Sequence, residues 1–354
     1  MLLGTQQDNM KFVVDLLDQL GSIEEFVYGR CPRPVTLKNG LTIGGGEVYP
    51  ELNFTLPGML VTTETMPDVC REYTQMITEA AQRAVELHAP GLVVEFELLP
   101  DLTLQPEWGA EITKIIRATL DKAQAEHGLI VGLRVTLNDI RSFELCAQAG
   151  ADFLLVESTG GKEIHAISRQ YGVIPAGDSA CGFANTAIVL AEQHSVPRGW
   201  AALIRVMSVA RSLVAFERGA VGPNKDCAYE GPYIKANTGC PISLEGAEAA
   251  CAHLSPIGNI AKVVPDLWSN ESVNNVRLLS AMAPTVSLEQ LVYATRLMNV
   301  ASARSHESAR MLRDWWVDKL FRQSDDLPED EAACTASMLP TLDPAKIQVT
   351  EYGL

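Results

Sequence analysis

The chain has 354 residues, 47% hydrophobic and 20% charged, a composition that folds around a large core and is far from that of a disordered protein. Its formal net charge of −16 argues against nucleic acid and anionic membranes as partners, because both need a Lys/Arg surplus. No apolar run approaches the roughly 20 residues of a membrane helix. Asp8, Lys11, Asp15 and Asp18 interrupt the first 20 residues where a secretory leader is apolar, so a cytoplasmic location is expected.

In chain order, Phe12, Val13, Leu16, Leu17 and Leu20 have helical spacing and predict a helical lead-in over residues 1–27. Pro and Gly crowd the stretch from Tyr28 to Gly58, which reads as an irregular wrap or short hairpin ahead of the main domain. An amphipathic helix is predicted over 68–88. Short apolar strands and helices then alternate: strand 92–97, helix 108–126, strand 129–135, helix 139–148, strand 153–158, helix 163–170, strand 173–178 and helix 184–192. The stretch Arg211 to Phe216 fits either a helix end or a fifth strand. Beyond Gly222 the strand signal blurs, and the last hundred residues read as mostly helical.

This alternation predicts a parallel sheet with right-handed crossovers. Polar residues recur at the C-terminal ends of the strands: Glu95 and Glu97, Asn138 and Asp139, Glu157, then Asp178 and Cys181. That recurrence favours a (β/α)8 TIM barrel, whose chemistry sits on that face, over a doubly wound sheet. The expected organisation is an N-terminal helix and wrap over 1–58, a barrel over 59–300, and C-terminal helices and tail over 301–354. No GxGxxG follows the first of these strands and no GxxxxGK[ST] occurs anywhere, so nucleotide binding has no support.

Three segments carry candidate metal ligands beside glycine at predicted strand ends or loops. They are Leu155-Val-Glu157-Ser-Thr-Gly-Gly, Ala176-Gly-Asp-Ser-Ala-Cys181-Gly and Gly222-Pro-Asn-Lys-Asp-Cys227. Three protein ligands with a fourth position open describe a catalytic zinc site. None of the segments is a CxxC or HExxH, and two core cysteines with a carboxylate bonded to backbone amides remain the simpler reading of the spacing alone. Eight cysteines in so long a chain are too sparse for a disulfide scaffold.

These segments resemble, in order and wording, the zinc-carrying subunit of methanol:corrinoid methyltransferases. So do Gly222-Pro-Asn-Lys-Asp-Cys-Ala-Tyr-Glu, Thr238-Gly-Cys-Pro-Ile-Ser-Leu-Glu-Gly, Cys251-Ala-His, Trp268-Ser-Asn-Glu-Ser, and Trp108-Gly-Ala-Glu with Asn138-Asp-Ile-Arg. The likeness spans residues 28 to 300. It implies a (β/α)8 barrel with added helices, and zinc held by Glu157, Cys181 and Cys227. It implies a reaction in which the methyl group of an O-methyl donor passes to Co(I) of a separate corrinoid protein. Zinc would act as Lewis acid toward the donor oxygen, and Glu95, Glu97 and Asp178 are the candidates to protonate the leaving oxygen. A homodimer is the family's habit.

The chain departs from that family in two places, a short segment between Glu157 and Cys181 and a trimmed C-terminal helical region. The first departure widens the expected donors from methanol to methoxylated aromatics, as in an O-demethylase. The alternatives are a zinc methyltransferase activating a thiol acceptor, and a non-catalytic subunit that binds a corrinoid protein. Cys31, Cys70, Cys146 and Cys334 read as ordinary thiols, Cys240 and Cys251 have no ligand role by analogy, and His253 reads as structural. Trp315 and Trp316 fit a packed terminal helix, and the acidic run Asp325 to Glu331 a solvated linker. Lys162 and Lys225 fit either a partner-facing role or loop caps.

Overall fold

In the computed structural model the described residues are 30–45, 47–54, 61–97, 102, 105–137, 140–156, 161–177, 187, 190–191, 193–217, 219–226, 235, 238–244, 270–273, 283–305, 307–308 and 311–312. The chain enters through an antiparallel hairpin of β1 (Arg30–Thr36) and β2 (Thr42–Gly45). Then follow β3 (Pro50–Phe54), α1 (Met66–Glu86), β4 (Leu92–Glu97), α2 (Pro106–His127), β5 (Val131–Leu137), α3 (Ile140–Ala149) and β6 (Phe153–Val156). After these come α4 (Gly161–Tyr171), β7 (Ile174–Gly177), α5 (Arg198–Glu217), β8 (Asn224–Asp226), β9 (Ile242–Leu244), β10 (Asn270–Val273) and α6 (Ala283–Arg304).

The strands β10, β3, β4, β5, β6 and β7 form one parallel sheet in that order, and β8 pairs in parallel with β9. Because β8 lies beside β7 and β9 beside β10, the eight strands β3 to β10 follow one another in chain order around a ring. The pairing of the last strand with the first closes that ring into a (β/α)8 barrel and excludes the doubly wound alternative.

The helices begin and end where local chemistry dictates. Thr62 and Thr65 cap the start of α1 reciprocally, each backbone N–H donating to the other's Oγ1 at 3.2 Å or less. Pro106 opens α2, where a missing N–H costs nothing, and Gly128 closes it at φ 70°, a conformation that disfavours a side chain.

Strand parity divides the core in two. Leu52, Phe54, Val94, Phe96, Leu133, Val135 and Leu154 face outward and pack under the helices, with Tyr73 edge-on to Phe96 at 5.4 Å. The residues that alternate with them face the barrel axis, where Val93 and Phe153 meet Leu37 and Leu41 from the hairpin. Any side chain at Gly132 would lie 3.2 Å from Leu37 and 3.3 Å from Leu41, so the hairpin turn plugs the N-terminal end of the barrel. Asn39 fastens the plug by donating from Nδ2 to the carbonyl of Val131.

Several expectations need adjusting. Pro50–Phe54 lies inside the stretch read as a wrap, yet it is the first barrel strand, its signal hidden by Pro50 and the polar Glu51 and Asn53. The stretch Arg211 to Phe216 is the end of α5, not a strand. Beyond Gly222, where the strand signal blurs, stand three strands of only three or four residues, too short to show a period of two, and Asn270–Val273 falls in the stretch read as mostly helical. The lead-in helix, Trp315, Trp316, Cys334 and the acidic run lie outside the described residues.

Candidate active site

All eight strands run in parallel, so their C-terminal ends open on one face. Glu97 is the last residue of β4, although nothing is described of its side chain. Glu157 directly follows β6, Asp178 directly follows β7 with Cys181 three residues on, and Cys227 directly follows β8. These four residues lie outside the described residues. Among the described residues no group of three His, Cys, Asp or Glu side chains is arranged to hold a metal.

Glu95 sits one inward position deeper than Glu97, with no exposed surface, and its Oε1 accepts a hydrogen bond from the Thr136 hydroxyl on β5. Below it runs a network absent from the sequence reading. Arg134 Nε lies 2.7 Å from Glu51 Oε1, with both side chains out of solvent, and the Ser243 hydroxyl donates to Glu51 Oε2. The guanidinium also stacks 5.8 Å from the Phe153 ring centroid. One carboxylate thereby joins β3 to β5 and β9 across the barrel axis. A charged residue in the otherwise apolar run Leu129 to Val135 was the available signal for Arg134. Glu51 was concealed by the reading of its strand as a wrap.

The rim between β7 and β8 is held differently. No backbone ladder joins these strands, but the Gly177 N–H donates to Asn224 Oδ1 at 2.8 Å, with Asn224 wholly buried. Gly177 and Asn224 belong to the two strands that lead into Cys181 and Cys227.

The cysteines described elsewhere carry different chemistry. Cys146 accepts a hydrogen bond from the Thr113 hydroxyl inside the outer core, and Cys70 is half-buried on α1. Cys31, on the plugging hairpin, lies buried against buried Lys235. Burial pushes the Cys31 thiol up and the Lys235 amine down, so it favours the neutral form of each. Cys240, just before β9, is also pushed up by burial, to about 11, despite its bond to Thr238 and the nearby Arg33. Cys31 is a free buried thiol, and its lysine neighbour arrives from 204 residues downstream.

The sequence matches the profile of the methanol-cobalamin methyltransferase B subunit over residues 18–170 and 162–326. It is 32% identical over 345 residues to the methanol–corrinoid protein co-methyltransferase of Methanosarcina barkeri (strain Fusaro), an alignment covering 82% of this chain and 74% of that protein. The fold is similar to the crystal structure of the methanol:cobalamin methyltransferase complex from Methanosarcina barkeri, with a TM-score of 0.72 and 27% identity, over 94% of this chain and 88% of the matched chain.

Proposed function

This chain is a methyltransferase of the methanol-cobalamin methyltransferase B subunit family, and from that premise we propose that it moves a methyl group from an O-methyl donor, methanol or a methoxylated aromatic, to the Co(I) centre of a partner corrinoid protein. The observation that carries this reading is the adjacency of β6, β7 and β8, three parallel strands that lead, in order, into Glu157, Cys181 and Cys227. Glu157, Cys181 and Cys227 would supply two thiolates and one carboxylate, a donor set that suits zinc. Zinc held there would supply Lewis acidity, worth several kcal/mol against the developing charge of a poor oxygen leaving group.

The chain's own residues do the rest. Glu97 and Asp178 belong to strand ends, where a carboxyl can hand a proton to the departing oxygen. Glu95 lies deeper, its Oε1 engaged by the Thr136 hydroxyl. Below, the Glu51–Arg134 pair and the hairpin plug fill the N-terminal end of the barrel.

The test is metal content measured together with turnover. Purified protein should hold about one zinc per chain, and Cys181→Ala and Cys227→Ala should lose metal and methyl transfer together. Full turnover in either variant would refute the ligand assignment.

A further inference from the structure

We propose that the N-terminal part of α5 is the docking post for the corrinoid protein, with Trp200, Leu203 and Met207 as its anchors; this rests on the methyl-transfer reading above. The height of the helix comes from its contacts with β7. A side chain at Gly177, the C-terminal residue of β7, would lie 3.0 Å from Ala215, so Ala215 stands level with the catalytic end of the barrel. From there the chain descends, because the Val221 N–H donates to the carbonyl of Pro175 near the start of β7. The 17 residues of α5 before Ala215 therefore approach the barrel from the side of the strand ends.

This segment is apolar on two sides. Ala201 and Ile204 pack against Ala187, Ala191 and Val196, which satisfies one face. On another face Trp200, Leu203 and Met207, at helical spacing, are 60%, 51% and 57% exposed. An outward face of a barrel helix is ordinarily polar, and an exposed Trp with two aliphatic neighbours matches the make-up of an interface anchor. One turn beyond Met207 on the same side of the helix stands Arg211. Its occupant is thus a protein surface that presents an apolar patch.

Position selects the occupant. A corrinoid carried on a protein reaches the catalytic end only if its carrier rests on that rim, and this post stands on the rim. A free corrinoid needs no such support.

That difference supplies the experiment. Trp200→Ala, Leu203→Ser and Met207→Gln are compared with the wild type in two assays, with free cob(I)alamin and with the corrinoid protein of the source organism as methyl acceptor. Binding to the corrinoid protein in its cob(II)alamin form is measured separately by calorimetry. The variants should keep the wild-type rate with free cob(I)alamin. Their KM and Kd for the corrinoid protein should rise about tenfold or more, as for loss of a central anchor, with kcat retained. An unchanged Kd would overturn the proposal, and so would loss of a dimer with the corrinoid Kd intact, which would assign the face to a second copy. If the wild type methylates neither acceptor, the methyl-transfer reading fails, and the Kd comparison still decides the role of α5.

Discussion

Asn224 accepts the Gly177 amide at 2.8 Å and is the polar link between two neighbouring strands that share no backbone ladder. Its place two residues before the end of β8 makes it a positioning residue for the loops that begin there. Asn224→Leu leaves a buried N–H without an acceptor and should lower the unfolding free energy by about 1–3 kcal/mol. Leu41→Ala, in the plug at the opposite end, should cost about 2–5 kcal/mol through the cavity it creates. Competition with a chelator separates the two: Asn224→Leu should release zinc more readily, whereas Leu41→Ala should hold it like the wild type. Equal release by both would reduce Asn224 to a stability role.

The buried Glu51–Arg134 pair predicts strong coupling in denaturant unfolding. Arg134→Met leaves the Glu51 carboxylate buried without its cation and should cost about 3–5 kcal/mol. The double variant Glu51→Leu, Arg134→Met should cost less than the two single variants combined, since each single change strands the other charge. Simple additivity would mean that water or another group already compensates these charges.

Lys235 and Cys31 predict how stability varies with pH. The Lys235 amine is held below its usual 10.5, so the unfolded chain binds more protons there and stability rises with pH between the lowered value and 10.5. The Cys31 thiol is held above its usual 9.0, so its contribution is complete below 9.0 and is lost as pH rises through the higher folded value. The two slopes therefore oppose above pH 9. Lys235→Met should leave stability falling as pH rises above 9.0, and Cys31→Ala should leave it rising toward 10.5, both measured by urea unfolding beside the wild type. The same slope above pH 9 in the wild type and both variants would contradict the burial of these two groups in the native state.

Much of this barrel was legible because its central strands are buried on both faces and its helices have clear amphipathic spacing. Leu92–Glu97 was read to the residue, and Met66–Glu86 to within two. The strands that close the ring were not legible. Pro50–Phe54 alternates polar and apolar residues under a leading proline, and 224–226, 242–244 and 270–273 are shorter than any pattern can mark. At the site, strand-end carboxylates stood out because charge there breaks an apolar run. Glu51, Ser243 and Asn224 did not, since their partners lie 83, 192 and 47 residues away and only closure of the barrel brings them together. The exposed face of α5 was likewise invisible, because an apolar residue in sequence carries no mark of which side of a helix the core has claimed.

The most direct measurement is anaerobic visible spectroscopy of the partner corrinoid protein in its Co(I) state, mixed with the zinc-loaded chain and a donor. Parallel cuvettes would hold methanol and a methoxylated phenol. Conversion of the Co(I) band to methyl-Co(III) with at least one of them is the predicted result. Conversion with methanol alone would mark a small pocket, and conversion with the aromatic alone an O-demethylase component. A Co(I) band that persists with both donors, in protein that holds its zinc, would contradict the account.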